Sequence, residues 1–121
     1  MHNIILGKSG EDAAVDFLKK KGYKVLARNW RFRRLGEIDI VAKLKDTICF
    51  IEVKTRKDDK FGTPYEAVDG RKQFKLSGLA ISYLKSKNLM DSAARFDVVS
   101  ICGEEISLFT DAFPLSDKFL Y

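Results

Sequence analysis

The sequence predicts an α/β fold in which one β-sheet is flanked by helices. Two segments, 9–22 and 69–87, have the spacing of apolar residues that is typical of amphipathic helices, and five others have the pattern of strands. Their order along the chain is αβββαββ, which we expect to form a single mixed sheet with helices packed against it. A chain of 121 residues suits one such domain, spanning 1–121.

The first helix is predicted within "GKSGEDAAVDFLKKKG". Ser9 is a favourable N-cap and Gly22 a natural end. Glu11 lies three residues before Ala14 and seven before Leu18, so it extends the apolar stripe of this helix. An acid in a first turn usually complements the helix dipole, whereas an acid on a buried stripe could point into a site on the sheet. The sequence leaves both interpretations open.

The remaining elements follow in a regular order. The strands are predicted at "YKVLARNW", Glu37–Leu44, Thr47–Lys54, "RFDVVSI" and "ISLFT", with a loop at 56–68 that contains Gly62 and Pro64 and a second helix at about Asp69 to Lys87. Asp97 lies between apolar neighbours in the fourth strand. A buried acid needs a partner, such as Arg95 or a backbone group, so we expect a structural role for it.

The charge is distributed unevenly along the chain. The net charge is +5, but residues 1–90 hold 20 Lys and Arg against 11 Asp and Glu, whereas residues 91–121 hold 2 against 6. A basic body of this kind favours a polyanionic partner. The segment "RNWRFRR" concentrates four arginines around Trp30 and Phe32. These aromatic rings could stack on bases, although half-buried aromatic residues of strands more often belong to the core.

Several classes of protein are disfavoured. No apolar run approaches the roughly 18 to 20 residues of a membrane helix, and the start of the chain lacks a secretory pattern, so we expect a cytoplasmic protein without a membrane partner. Cys49 and Cys102 are far apart and form no C-x-x-C motif, which favours buried free thiols. His2 is the only histidine and lies in the N-terminal tail, which argues against a histidine-based site.

The second and third strands contain charges where apolar residues are expected. A hairpin turn centred between Lys45 and Asp46 places Asp39 opposite Glu52 and Glu37 opposite Lys54. Because side chains alternate between faces, all four charges would share one face. The opposite face is then ordinary core, formed by Ile38, Ile40, Ala42, Cys49, Ile51 and Val53.

Carboxylates that face each other in a sheet repel, and a divalent cation would offset this repulsion. Hard oxygen ligands suit Mg²⁺ or Mn²⁺. Such a cation polarises a phosphoryl group and lowers the pKa of a bound water. Lys54, on the same face, could orient or deprotonate that water or stabilise charge on the phosphate. The alternative is a solvent-exposed charged face, since single E-x-K triplets are common.

At this point the residues resemble a known pattern. Asp39 followed by Glu52-Val53-Lys54 resembles the D…(D/E)-x-K motif of the restriction-endonuclease-like nuclease superfamily, and the predicted αβββαβ core is similar to the core of that superfamily. The blocks "GEDAAVDFLKKKGYKVLARNWR", "GEIDIVA", "FIEVKTR", "FGTPYEAV", "KQFKLSGLAISYL" and "RFDVV" resemble the YraN-like family of small bacterial proteins over nearly the whole chain. The arrangement is also similar to that of archaeal Holliday junction resolvases.

The resemblance implies roles for individual residues. It makes Asp39 and Glu52 metal-binding carboxylates, the Val53 carbonyl a further ligand and Lys54 the catalytic lysine. It also supports Glu11 of the first helix as a further metal-binding acid and Glu37 as a neighbour that supports Asp39. We expect phosphate contacts from basic and polar residues near this hairpin, namely Arg31, Arg33, Arg34, Arg56, Lys72 and Gln73. For Lys72 and Gln73, a solvated first turn of the second helix is an equally good interpretation.

The leading hypothesis is a Mg²⁺- or Mn²⁺-dependent DNA endonuclease, similar to resolvases and acting on branched DNA. A chain this small offers little surface for grasping a duplex, which favours a homodimer. The alternatives are a nucleic-acid-binding protein without catalysis and an accessory protein of DNA processing, each on a nuclease fold.

Overall fold

The computed structural model describes residues 9–56 and 68–115. Its elements are α1 (Gly10–Lys20), β1 (Lys24–Arg31), β2 (Glu37–Leu44), β3 (Thr47–Arg56), α2 (Gly70–Ser86), β4 (Ala93–Cys102) and β5 (Glu105–Phe113). The predicted order αβββαββ is confirmed. Residues 57–67 of the predicted loop, including Gly62 and Pro64, lie outside the described residues, as does His2.

Helix α1 begins at its predicted cap, Ser9, and α2 is capped by Asp69. The Ser9 side chain accepts a hydrogen bond from the Asp12 backbone N–H, and the Asp69 side chain accepts one from the Lys72 N–H. Each cap satisfies an amide that has no partner within its helix. Gly22, just after α1, has a φ of 94°, a conformation that glycine adopts without steric cost. The helix ends are therefore set by local chemistry.

The five strands form one mixed sheet in the order β1-β2-β3-β4-β5. Only β3 and β4 are parallel, and α2 lies in the connection between them. The other neighbours are antiparallel. The predicted α/β fold, with a mixed sheet flanked by helices, is confirmed.

The sheet separates two apolar cores, one under each helix. Along β3, Ile48 and Phe50 pack on the α2 side, whereas Cys49 and Ile51 pack on the α1 side. A strand covered on both faces reads as a continuous apolar run, as β3 does. Trp30 packs edge-on against Tyr83 of α2, with ring centroids 5.3 Å apart. The indole thus belongs to the α2-side core.

Asp97 is fully buried and has the structural role that its sequence context predicts. Its carboxylate accepts hydrogen bonds from Arg95 Nε at 3.0 Å, from Tyr23 Oη at 3.2 Å and from the Asp111 backbone N–H at 2.9 Å. Burial and the charge of Asp97 raise the pKa of Tyr23 to about 12. These bonds compensate the desolvation of a buried charge and join the segment after α1 to the last two strands.

Two smaller features complete the fold. Cys49 is buried and Cys102 half-buried, and neither is in a disulfide. Within the described ranges, no helix is both long and apolar enough to cross a membrane.

Candidate dicarboxylate and dilysine site

The hairpin of β2 and β3 has the predicted register over its outer part. The pairs run from Leu44 with Thr47, next to the turn, to Ile40 with Ile51. Lys45 in the turn has a φ of 55°, so it adopts the left-handed conformation that tight hairpin turns require. The turn therefore fixes which residues of the two strands face each other.

Beyond Ile40 the backbone hydrogen bonding between β2 and β3 ends. A side chain of β2 bonds to the backbone of β3 there instead. The Asp39 Oδ2 atom accepts a hydrogen bond from the Val53 backbone N–H at 2.8 Å. The ladder ends before the predicted pairs of Asp39 with Glu52 and of Glu37 with Lys54, so neither is a backbone pair. Glu37 instead forms an ion pair with Arg31 of β1, with 3.2 Å between Oε2 and Nε.

The expected alternation of faces along β2 is also broken here. Ile38 belongs to the α2-side core, whereas Ile40 belongs to the α1-side core, so the prediction that Ile38, Ile40 and Ala42 share one face is wrong. The change lies beside Asn29 of β1, which has a φ of 50° and lies between the pairs Arg28 with Ile40 and Trp30 with Ile38. Asparagine tolerates this left-handed conformation better than most residues. The kink lies next to Asp39.

Four charged side chains meet at this kink. The Asp39 and Glu52 side chains are close enough for Glu52 to shift the pKa of Asp39. Glu52 is only 4 % exposed, and its Oε2 atom contacts two lysines. Lys54 Nζ lies 3.6 Å away, and Lys72 Nζ of α2 is in direct contact. The predicted set of Asp39, Glu52 and Lys54 is thus brought together, and α2 adds a second lysine.

The pKa values in this cluster move in opposite directions. Burial, followed by the hydrogen bond and charge of Glu52, raises the pKa of Asp39 to about 7. Burial and the neighbouring Lys72 lower the pKa of Lys54. Burial also acts to lower the pKa of Lys72, but its ion pair with Glu52 outweighs this and the pKa is raised. The Asp39 carboxyl, with a pKa raised to about 7, therefore exchanges its proton close to neutral pH.

Glu11 lies on the α1 side, apart from the two lysines. Its Oε1 atom accepts hydrogen bonds from Asn29 Nδ2 at 2.8 Å and from Arg28 Nη2 at 3.2 Å. Its charge makes a minor contribution to the raised pKa of Asp39. Glu11 is thus electrostatically coupled to Asp39 but is held by residues of β1.

The predicted phosphate-binding residues have different environments. Arg33 packs over the Phe32 ring at 5.0 Å, and Arg34 is exposed next to it in the loop between β1 and β2. Arg56 ends β3 and is half-buried. The Gln73 amide donates to the Val68 carbonyl at 2.7 Å, which closes the first turn of α2.

The donor set is small and oxygen-rich. Across residues 9–56 and 68–115, no group of three or more His, Cys, Asp or Glu side chains is close enough to hold a metal ion. Asp39 and Glu52 are the two neighbouring carboxylates of this cluster. Such a pair suits a hard cation that keeps part of its water shell, as Mg²⁺ does with one or two protein carboxylates.

Two features were missed from the sequence. The contact of Lys72 with Glu52 depends on how α2 packs on the sheet, although the position of Lys72 three residues after the cap Asp69 could have suggested an inward direction. Asn29 holds Glu11 and breaks the strand alternation. The dipeptide Arg28-Asn29, polar within an apolar strand, was the available signal.

The fold and site define a small α/β protein with a paired-carboxylate and paired-lysine cluster at the opening of a hairpin. Residues 10–101 match the family described as "Uncharacterised protein family UPF0102", and the chain belongs to this family. The resemblance to the YraN-like family is thereby confirmed.

Curated relatives share most of their length with this chain. A UPF0102 protein of Syntrophus aciditrophicus is 45 % identical over 118 residues, covering 94 % of this chain and 92 % of the relative. One of Acetivibrio thermocellus is 47 % identical, covering 88 % and 89 %. One of Moorella thermoacetica is 52 % identical, covering 78 % of each.

Proposed function

We propose that this protein is a Mg²⁺- or Mn²⁺-dependent endonuclease that hydrolyses phosphodiester bonds in DNA. The observation that carries the proposal is the proximity of Asp39 to Glu52 at the point where β2 and β3 part, with Lys54 and Lys72 on the Glu52 carboxylate. Two partly buried carboxylates repel each other, and a divalent cation would relieve that repulsion. The resemblance of Asp39 and Glu52-Val53-Lys54 to the D…(D/E)-x-K motif supports the same chemistry.

The residues have distinct roles in this proposal. Asp39 and Glu52, with the Val53 carbonyl, would hold the cation, which when bound polarises the phosphate and acidifies a water. Lys54 would orient the attacking water and take up its proton, because its lowered pKa leaves a larger neutral fraction than an ordinary lysine has. Water adds to phosphorus as the bond from phosphorus to one sugar oxygen breaks. The charge that develops on the phosphate oxygens would be met by Lys72.

DNA is the proposed substrate because the cluster lies among cations. Arg33 and Arg34 lie in the loop between β1 and β2, and Arg56 lies at the end of β3. Phosphate contacts from such residues would position a strand without reading its sequence. The first test is cleavage of branched, nicked and linear DNA with Mg²⁺ or Mn²⁺, comparing wild type with Asp39→Asn and Lys54→Ala. We expect cleavage by wild type alone; equal cleavage by the variants would refute the proposal.

A second candidate is a nucleic-acid-binding protein that does not cut. One observation favours it: Lys72 already neutralises Glu52, and among the described residues no third acidic side chain joins the pair. This candidate predicts salt-sensitive DNA binding that survives replacement of both carboxylates, and no uptake of Mn²⁺. Metal titration therefore separates the two candidates without any assay of cleavage.

A further inference from the structure

A cavity of about 400 Å³ lies beside the carboxylate cluster, between the loop that joins β1 to β2 and the first three turns of α2. Its apolar floor is formed by Leu35, Leu76 and Leu79. Lys72 lines this cavity and also contacts Glu52. The cavity therefore lies within the length of one lysine side chain of the proposed catalytic centre. We call it the leucine groove.

The rim of the leucine groove is cationic. Arg71 and Lys75 are one helical turn apart, on the same side of α2, and both line the groove. Neither forms an ion pair with any residue in 9–56 or 68–115. The acidic residues of the rim are engaged elsewhere: Glu37 pairs with Arg31, and Asp69 caps α2. Within the part of the chain that the structure describes, cations without an ion-pair partner therefore surround an apolar floor.

This combination matches the chemistry of a single nucleotide. A base needs an apolar surface against which its face can pack, and its phosphate needs cations. Pockets that enclose small ligands have volumes of roughly 300 to 1,000 Å³, and the leucine groove lies at the small end of this range. A base that remains stacked in a duplex could not reach the floor, because its faces are covered by its neighbours.

We propose that the leucine groove binds one unpaired nucleotide of the DNA strand next to the phosphate to be cut, with the base on the leucine floor and its phosphate between Arg71 and Lys75. The inference rests on the proposed function and narrows its substrate class to DNA with an unpaired segment, such as a flap or a branch point. A continuous duplex supplies the phosphates but not the free base.

The test measures DNA binding in EDTA by fluorescence anisotropy, so that it does not depend on cleavage. The probes are a short duplex with a single-stranded flap, the blunt duplex of the same sequence, and the flap with an abasic residue as its first unpaired nucleotide. We expect the flap to bind about tenfold more tightly than either of the other two. Equal affinity for flap and blunt duplex, or for intact and abasic flap, would overturn the inference.

A pair of matched double variants assigns the effect to the groove. Arg71→Ala with Lys75→Ala should remove the preference for the flap, while leaving binding of the blunt duplex within about threefold. The control is Lys43→Ala with Lys85→Ala, which removes the same charge from exposed positions of β2 and the last turn of α2. We expect it to retain the preference. If both double variants lower the affinity for all probes equally, the contacts are only electrostatic and the inference fails.

Failure of this inference is distinguishable from failure of the proposed function. Cleavage that depends on Asp39, together with equal binding of all probes, would support the endonuclease proposal and refute nucleotide binding in the leucine groove. Preference for the flap without cleavage or metal uptake would support nucleotide binding in the leucine groove but refute the endonuclease proposal.

Discussion

Replacing Asp39 by asparagine tests whether the ionised Asp39 carboxylate lowers the free energy of unfolding of the protein. Burial and the neighbouring Glu52 raise the pKa of Asp39 from 3.8 to about 7. Because the folded pKa lies above the unfolded one, the folded state binds this proton more tightly. The proton on Asp39 therefore contributes to the free energy of unfolding. This contribution is complete below about pH 4 and is lost as the pH rises through about 7. Asparagine keeps the shape of the protonated acid, and its oxygen can still accept from Val53.

The magnitude follows from the shift. About three pKa units, from 3.8 to about 7, correspond to about 4 kcal/mol, since one unit is about 1.4 kcal/mol. Asp39 is only partly buried, and screening by solvent reduces this to about 2 kcal/mol. We therefore expect Asp39→Asn and wild type to unfold with similar free energies near pH 4. Near pH 8 the variant should be more stable by about 2 kcal/mol.

The assay is urea unfolding in EDTA, followed by circular dichroism across this pH range. Asp46→Asn is the control, because Asp46 is an exposed aspartate in the turn between β2 and β3. Its free energy of unfolding should follow that of wild type at every pH. A difference in the free energy of unfolding between Asp39→Asn and wild type that does not change with pH would refute the reasoning. It would show that folding does not raise the pKa of Asp39.

Three further changes probe the cluster and the core. Lys72→Met should raise the affinity for Mn²⁺ about fivefold by calorimetry, because the lysine no longer competes for Glu52. Asp97→Ala should lower the free energy of unfolding by about 3 kcal/mol in urea, because it leaves the Arg95 charge without its buried partner. Glu11→Gln should lower Mn²⁺ affinity measurably but change the free energy of unfolding by less than about 1 kcal/mol, because its ion pair is partly exposed.

Each of these changes has an outcome that contradicts its premise. Unchanged or weaker Mn²⁺ binding in Lys72→Met would show that this lysine does not occupy the metal-binding position. If Asp97→Ala hardly changes the free energy of unfolding, the buried hydrogen bonds only balance the desolvation of the groups that form them. Unchanged Mn²⁺ affinity in Glu11→Gln would restrict Glu11 to its contacts with β1.

The features that depend on neighbouring residues could be predicted from the sequence. Ser9 and Asp69 bond amides three residues away, so the start of each helix is a local property. The register of β2 and β3 follows from their two-residue turn, and it led directly to Asp39 and Glu52. Here short-range chemistry and the final fold agree, which is typical of a sequence that specifies one structure.

The features that could not be predicted depend on packing between distant parts of the chain. The hydrogen bond from Tyr23 to Asp97 joins residues 74 positions apart, and periodicity contains no information about such a pair. Strict alternation failed at Ile38 of β2, which lies next to the left-handed Asn29 of the neighbouring strand. The position of Lys72 on Glu52 requires α2 to lie over this part of the sheet.

The central claim is that Asp39 and Glu52 together bind a divalent cation. Titration of Mn²⁺ into the purified protein by isothermal calorimetry tests this directly, with Asp39→Asn as the comparison and Asp46→Asn as the control. We predict one binding event in wild type and in the control, and its loss in Asp39→Asn while the variant remains folded. Absence of binding in wild type, or equal binding in Asp39→Asn, would contradict the account.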